Sequence, residues 1–188
     1  DTHTYTMYIC PDVVDFGGYV GYGETGGTKT CYLDRHGSSP FVQMHELGHN
    51  LQFFHSGEGN SEYGDPTGIM GGRYNSDIHW GKMCFNAAKT WQAGWYSDHH
   101  STVTPTNESY IGNIVDVNSV ALGGINANDD VVVKVQSADE LSLYFMLHRL
   151  EGITSDMKED YIDTYADKIN IQRWGYSGIS SKAIGHLA

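Results

Sequence analysis

Gln43-Met44-His45-Glu46-Leu47-Gly48-His49-Asn50-Leu51-Gln52-Phe53-Phe54-His55 decides how the rest of the chain is read. On an α-helix, residues four apart share one face, so His45 and His49 aim their imidazoles at one point. Glu46 beside them reaches a water held there without becoming a ligand. His55 stands six residues beyond His49, about 600° of helical rotation, and joins that face only if the chain turns sharply after about residue 51. The spacing predicts that turn. Three neutral imidazoles would then hold Zn²⁺ at roughly 2.0 to 2.1 Å and leave a fourth position open to water.

Ser56 follows the third histidine. A short loop further on, Tyr63-Gly64-Asp65-Pro66-Thr67-Gly68-Ile69-Met70-Gly71 forms a glycine-rich turn carrying a methionine. With these elements the chain resembles the metzincin metalloproteases, whose extended zinc motif is followed by a methionine turn. Within that clan it is most similar to the gametolysin-type peptidases. The closer resemblance rests on residues 43 to 51, on Tyr63-Gly64-Asp65 with Ile69-Met70-Gly71, and on Cys84-Phe85-Asn86-Ala87-Ala88 with Trp91-Gln92-Ala93-Gly94-Trp95. It implies a zinc endopeptidase with His45, His49 and His55 as metal ligands, Glu46 as general base and Met70 as an apolar floor beneath the imidazoles. It also implies a protein or glycoprotein substrate. Gln52 departs from the pattern, because most metzincins place glycine there to make the turn. A residue with a Cβ in left-handed conformation costs on the order of 1 to 2 kcal/mol, which zinc binding would outweigh. The alternative third ligand is Asp65.

The chain has 188 residues, with 11 basic and 23 acidic side chains and a net charge of −12. That balance argues against a nucleic-acid partner and suits a soluble secreted enzyme. Apolar runs such as Tyr144-Phe145-Met146-Leu147 are strand-sized, far short of the roughly 20 residues a membrane helix needs, so membrane insertion is not expected. Asp1 opens the chain without an initiator methionine or a signal-like stretch, as in a processed or excised product. Only 44 residues precede His45, fewer than a metzincin domain usually places there. Elements removed, a compact version and further upstream sequence all fit. Among Cys10, Cys31 and Cys84, a Cys10–Cys31 bridge is favoured over three reduced thiols, and none has the setting of a nucleophile. Asn107-Glu108-Ser109 is a glycosylation sequon, relevant to a secreted eukaryotic protein.

The pattern along the chain predicts an α+β protein in two parts: over 1–100 a small mixed sheet plus the zinc-site helix, which the resemblance implies is a metzincin-like catalytic part, followed over 101–188 by an antiparallel β-rich, sandwich-like part. Strands are expected at Thr4 to Cys10, Gly18 to Gly23 and Thr28 to Leu33. A helix begins at Ser38-Ser39-Pro40 and runs to about Leu51, a loop covers 57–77, and a second helix runs from about Asn86 to Ala93, ended by Gly94. Further strands are expected at 110–117, 119–122, 131–135, 141–147, 168–172 and 179–184.

The glycine-rich edge around Gly18, Gly21, Tyr22 and Gly23 is the expected substrate-binding strand, since small residues let an extended peptide approach an open sheet edge. Tyr63 and Tyr74 lie close enough to the methionine turn to be candidate oxyanion donors, although in a chain with 13 tyrosines surface or packing roles are the favoured reading for both. The remaining histidines lack metal spacing, and His99-His100 reads as exposed loop. Two rival functions remain: a non-catalytic zinc or adhesion module, against which the intact Glu46 and histidine set count, and a zinc amidase or deacylase.

Overall fold

The computed structural model describes residues 4–71, 83–104, 109–136, 141–152, 164–174 and 180–188. It is a mixed α+β structure with several sheets and few helices. β1 (Thr6–Cys10), β2 (Gly21–Gly23) and β3 (Lys29–Leu33) form a three-stranded sheet in the order β1-β3-β2. β1 runs parallel to β3 and β2 antiparallel to it, so β2 is an edge strand. The second expected strand is shorter than the sequence suggests, because Gly17 and Gly18 take φ of 65° and 90° and turn the chain before β2 begins.

Helix α1 (Pro40–Asn50) carries the histidine motif. Ser39 caps it with its hydroxyl accepting from Val42 N–H, and Pro40 sits in the first turn, where no donor is lost. Its inner face buries Phe41 and Val42 in a core with Tyr32, Phe53, Ile69, Met70, Met83 and Phe85. α1 is followed by β4 (Ser56–Glu58), α2 (Ala87–Ala93), β5 (His100–Val103), β6 (Asn113–Ile114), α3 (Val117–Ala121), β7 (Asp129–Asp130) and β8 (Val132–Val135). β9 (Ser142–His148), β10 (Lys168–Trp174) and β11 (Ser181–Leu187) complete the chain. Helix α2 is capped by the Asn86 side chain and ended by Gly94 at φ 71°. No helix among the described residues is long and apolar enough to cross a membrane.

β4, β11, β10, β9, β8 and β5 form one six-stranded sheet in that order. This corrects the expected antiparallel sandwich: β4 pairs with β11 and β5 with β8 in parallel, so the sheet is mixed. Parallel pairing needs a long connection, and the Ser56–Ser181 partners are 125 residues apart in sequence. Strands from both halves of the chain therefore share one sheet, with β4 on one edge and β5 on the other. The inner face of that sheet, with Val132, Tyr144 and Met146, forms one core with Ala87 and Ala88 of α2 and with Val117 and Val131.

Three further expectations change. Residues 119–122, read as strand from their apolar content, belong instead to the end of α3. The Asp116 side chain accepts from the N–H groups of Asn118 and Ser119, an N-cap that outweighs the strand preference of the valines. His99 and His100 are not free loop residues, since His99 Nδ1 lies 2.9 Å from Asp129 O and the His100 ring stacks on Trp91 at 4.5 Å. No disulfide links the three cysteines. Cys10 and Cys31 are hydrogen-bonded neighbours on adjacent strands, and burial pushes the Cys31 thiol up. Asn107 of the sequon lies outside the described residues.

Candidate metal centre

The helix stops where the third histidine requires it to. Gln52 takes φ 66°, its N–H donates to His49 O at 2.8 Å, and Phe53 N–H reaches back to Gly48 O at 2.9 Å. These two bonds form a Schellman closure with Gln52 in the position glycine usually fills. Its backbone is held from outside as well, because Gln92 Nε2 donates to Gln52 O at 3.1 Å. The turn swings His55 back over α1. Ring centroids then lie 5.1 Å apart for His45 and His49, 5.4 Å for His45 and His55, and 4.9 Å for His49 and His55.

Each ring has its Nδ1 engaged: His45 with Ile69 O at 2.9 Å, His49 with Phe53 O at 2.8 Å, and His55 with Glu62 Oε1 at 2.5 Å. Nδ1–H donation to an oxygen fixes the tautomer and leaves each Nε2 lone pair free. One ligand atom from each ring lies within 4.8 Å of the other two, and this is the one such cluster among the described residues. Burial is the first cause that holds the His45 pKa down at about 4, opposed by its bond to Ile69 O. Burial lowers that of His49 as well. Neutral imidazoles are the form that ligates, so the donor set, its tautomers and the lowered pKa values of His45 and His49 fit a transition-metal ion of the zinc type.

Asp65, the alternative third ligand, lies elsewhere. Fully buried, it accepts from Ser56 Oγ at 2.7 Å, Thr67 N at 2.9 Å, Thr67 Oγ1 at 2.5 Å and Asn86 Nδ2 at 2.7 Å. Its lone pairs are used in tying the loop after His55 to α2 and, through Ser56 and Ser181, to β11.

The methionine turn lies against the helix. Met70 is buried, and its sulfur occupies the space a side chain at Gly48 would need. Ser56 N–H donates to Met70 O at 2.9 Å, so the residue after the third histidine and the methionine turn fix one another.

Glu46 is buried beside the histidines, and desolvation raises its pKa to about 7, partly opposed by a hydrogen bond from the Gly23 N–H. Gly21 and Gly23 face α1. A β-carbon on Gly21 would lie 2.9 Å from Glu46 Oε1, and one on Gly23 would collide with the Glu46 carbonyl oxygen. The close approach that glycine permits here is therefore to the metal helix. Tyr22 points away and is 63% exposed. The Tyr63 ring stands 4.1 Å from the His55 centroid and 6.1 Å from that of His45, with burial first among the causes that push its phenol up to about 12. Tyr74 lies outside the described residues. Gly48, Glu62 and the Asp65 network escaped the sequence reading; the glycine inside an otherwise helical motif was the available signal for the first of them.

A half-buried helix presenting two imidazoles, closed by a turn that brings in a third, gives a cluster that could hold a metal ion. The family described as Gametolysin peptidase M11 matches residues 1–168, and the chain belongs to that family. It is also 33% identical over 93 residues to a protein named Autolysin from Chlamydomonas reinhardtii. That match covers 47% of this chain and 14% of the relative, so the chain spans a small fraction of that protein's length. No solved structure matches the chain.

Proposed function

We propose that the chain carries the catalytic centre of a secreted zinc endopeptidase acting on protein or glycoprotein substrates. The observation that supports this most is the convergence of three Nδ1-anchored imidazoles beside a buried carboxylate that carries no ligand role of its own. His45, His49 and His55 hold Zn²⁺, and Met70 lines the site below them. Zn²⁺ bound there supplies Lewis acidity, polarising a peptide carbonyl and lowering the pKa of water toward about 7.

Glu46 takes the proton from the attacking water and returns it to the leaving amine. Burial holds that carboxylate up at about 7 in the metal-free site, and the charge of a bound Zn²⁺ would draw it back toward the ionised form that a general base requires. The Gly23 N–H holds that carboxylate in place and links the base to β2. In this reading an extended substrate adds to the free edge of β2, next to Tyr22, with Gly18 shaping the turn ahead of it. Tyr63, neutral at working pH, is the donor to the developing oxyanion.

Glu46→Gln tests the reading. The amide keeps the shape and removes the base, so zinc content stays at one per chain while kcat on a peptide substrate falls by about 10² or more. A variant that cleaves at near wild-type rate removes Glu46 from the chemistry and with it the proposed mechanism.

A further inference from the structure

The three imidazoles are not held alike. His45 and His49 donate to main-chain carbonyls of Ile69 and Phe53, groups fixed by the methionine turn and by the helix closure. His55 lies beyond the closure, and its Nδ1 is met by a side-chain carboxylate, Glu62 Oε1, at 2.5 Å. Glu62 stands on a tight loop. Glu58 N–H donates to Ser61 O at 3.0 Å, Ser61 N–H returns a bond to Glu58 O at 2.9 Å, and Gly64 N–H donates to Ser61 O at 3.2 Å. The loop is packed too closely to vary, since a β-carbon on Gly64 would lie 2.7 Å from Glu58 N. The next residue, Tyr63, covers the face of the same imidazole. His55 is therefore gripped at its edge by Glu62 and on its face by Tyr63.

We propose that Glu62 is a positioning residue for the third metal ligand: its carboxylate accepts the His55 Nδ1–H, fixes Nε2 as the lone-pair atom and strengthens that imidazole as a donor to Zn²⁺. The proposal rests on the reading that His45, His49 and His55 hold the metal. An anionic acceptor on the remote N–H raises the basicity of a ligating imidazole, and loss of such a partner weakens metal binding by about 10 to 100-fold. Glu62 is 64% exposed, so water screens its charge and the effect falls at the lower end of that range.

The test measures zinc affinity by competition with a chelating dye for wild type, Glu62→Gln, Glu62→Ala, His55→Ala and a charge control, Glu58→Gln, together with thermal unfolding of each zinc-free protein. Glu62→Gln and Glu62→Ala should bind zinc about tenfold more weakly while their zinc-free unfolding matches wild type. In the Co²⁺-loaded protein the visible absorption of Glu62→Gln should be displaced, and that of Glu58→Gln should superpose on wild type. A loss below about threefold in both Glu62 variants, or an equal loss in Glu58→Gln, overturns the positioning role. A wild type that binds no zinc, or a His55→Ala protein that binds it as wild type does, overturns instead the three-histidine site on which the proposal rests.

Discussion

Gly48 and Met70 meet with no room between them: a β-carbon on Gly48 would be driven into the Met70 sulfur and would lie 3.1 Å from Phe85 Cε1. Glycine inside a helix costs about 0.5 to 1 kcal/mol relative to alanine, so the contact with the methionine turn is what makes it the fitting residue here.

Gly48→Ala should therefore destabilise the protein by roughly 1 to 3 kcal/mol despite the better helix former, because the buried thioether has to move. Calorimetry of the zinc-free protein gives the sign. In a double-mutant cycle, Met70→Ala should cost less in the Gly48→Ala background than in wild type. Additive effects would mean that the two residues do not press on one another.

Asp65 and His55 should separate stability from metal binding. Asp65→Asn removes a carboxylate that satisfies buried donors on Ser56, Thr67 and Asn86. Such a change should cost roughly 3 to 5 kcal/mol of stability in the zinc-free protein. His55→Ala should leave zinc-free stability within about 1 kcal/mol of wild type and abolish tight zinc binding. Metal analysis after equilibrium dialysis, set beside thermal melts, decides between the two patterns.

Gln52 holds φ 66° at the helix closure. Gln52→Gly should be neutral or stabilising by up to about 1 kcal/mol, since relief of the left-handed strain exceeds the added freedom of glycine in the unfolded chain. Melts of the zinc-loaded proteins read the difference, and a clear loss of stability would mean that the Gln52 side chain contributes packing against Gly26 that outweighs the strain.

Lys89 is buried, and desolvation lowers its pKa from 10.5 to about 8, with the Asp65 charge opposing the shift. Its ammonium stands 6.0 Å over the Phe53 ring and has no hydrogen-bond partner in the described structure. Below pH 8 the amine is charged in both folded and unfolded chains, and the folded state bears the full cost of burying it. Between about 8 and 10.5 the unfolded chain binds more protons than the folded one, so the Lys89 contribution to stability rises with pH across that window. Lys89→Met should remove that rise and stabilise the protein at pH 7 by roughly 2 to 3 kcal/mol. Denaturant titrations from pH 7 to 10 show whether the slope disappears.

Local spacing made much of the site legible. The four-residue interval from His45 to His49 fixes one helix face, and the interval to His55 demanded a turn that Gln52 supplies at positive φ. Ser39-Pro40, Asn86 and Gly94 announced their helix ends because capping is a contact between near neighbours. What escaped the sequence is non-local. Ser56 meets Ser181 across 125 residues, and nothing in either neighbourhood signals that the strand after the third histidine belongs to the C-terminal sheet. Gly21 and Gly23 stand out in the sequence only as small residues on an edge strand, and the structure shows that one side of each is filled by α1. A glycine's freedom is visible in sequence, but the group that exploits it is not. Residues 119–122 show the same limit at short range, where one capping aspartate overrode two β-branched neighbours.

In the proposed site three imidazoles and no carboxylate hold one zinc ion. X-ray absorption at the zinc edge of the purified, zinc-loaded protein tests it most directly. The expected spectrum has a first shell of nitrogen and oxygen at roughly 2.0 to 2.1 Å, with the outer-shell scattering of three imidazoles, which falls to two in His55→Ala and stays at three in Asp65→Asn. A shell with two imidazoles in the wild type, or one that loses a ligand in Asp65→Asn and keeps its imidazole count in His55→Ala, would contradict the account.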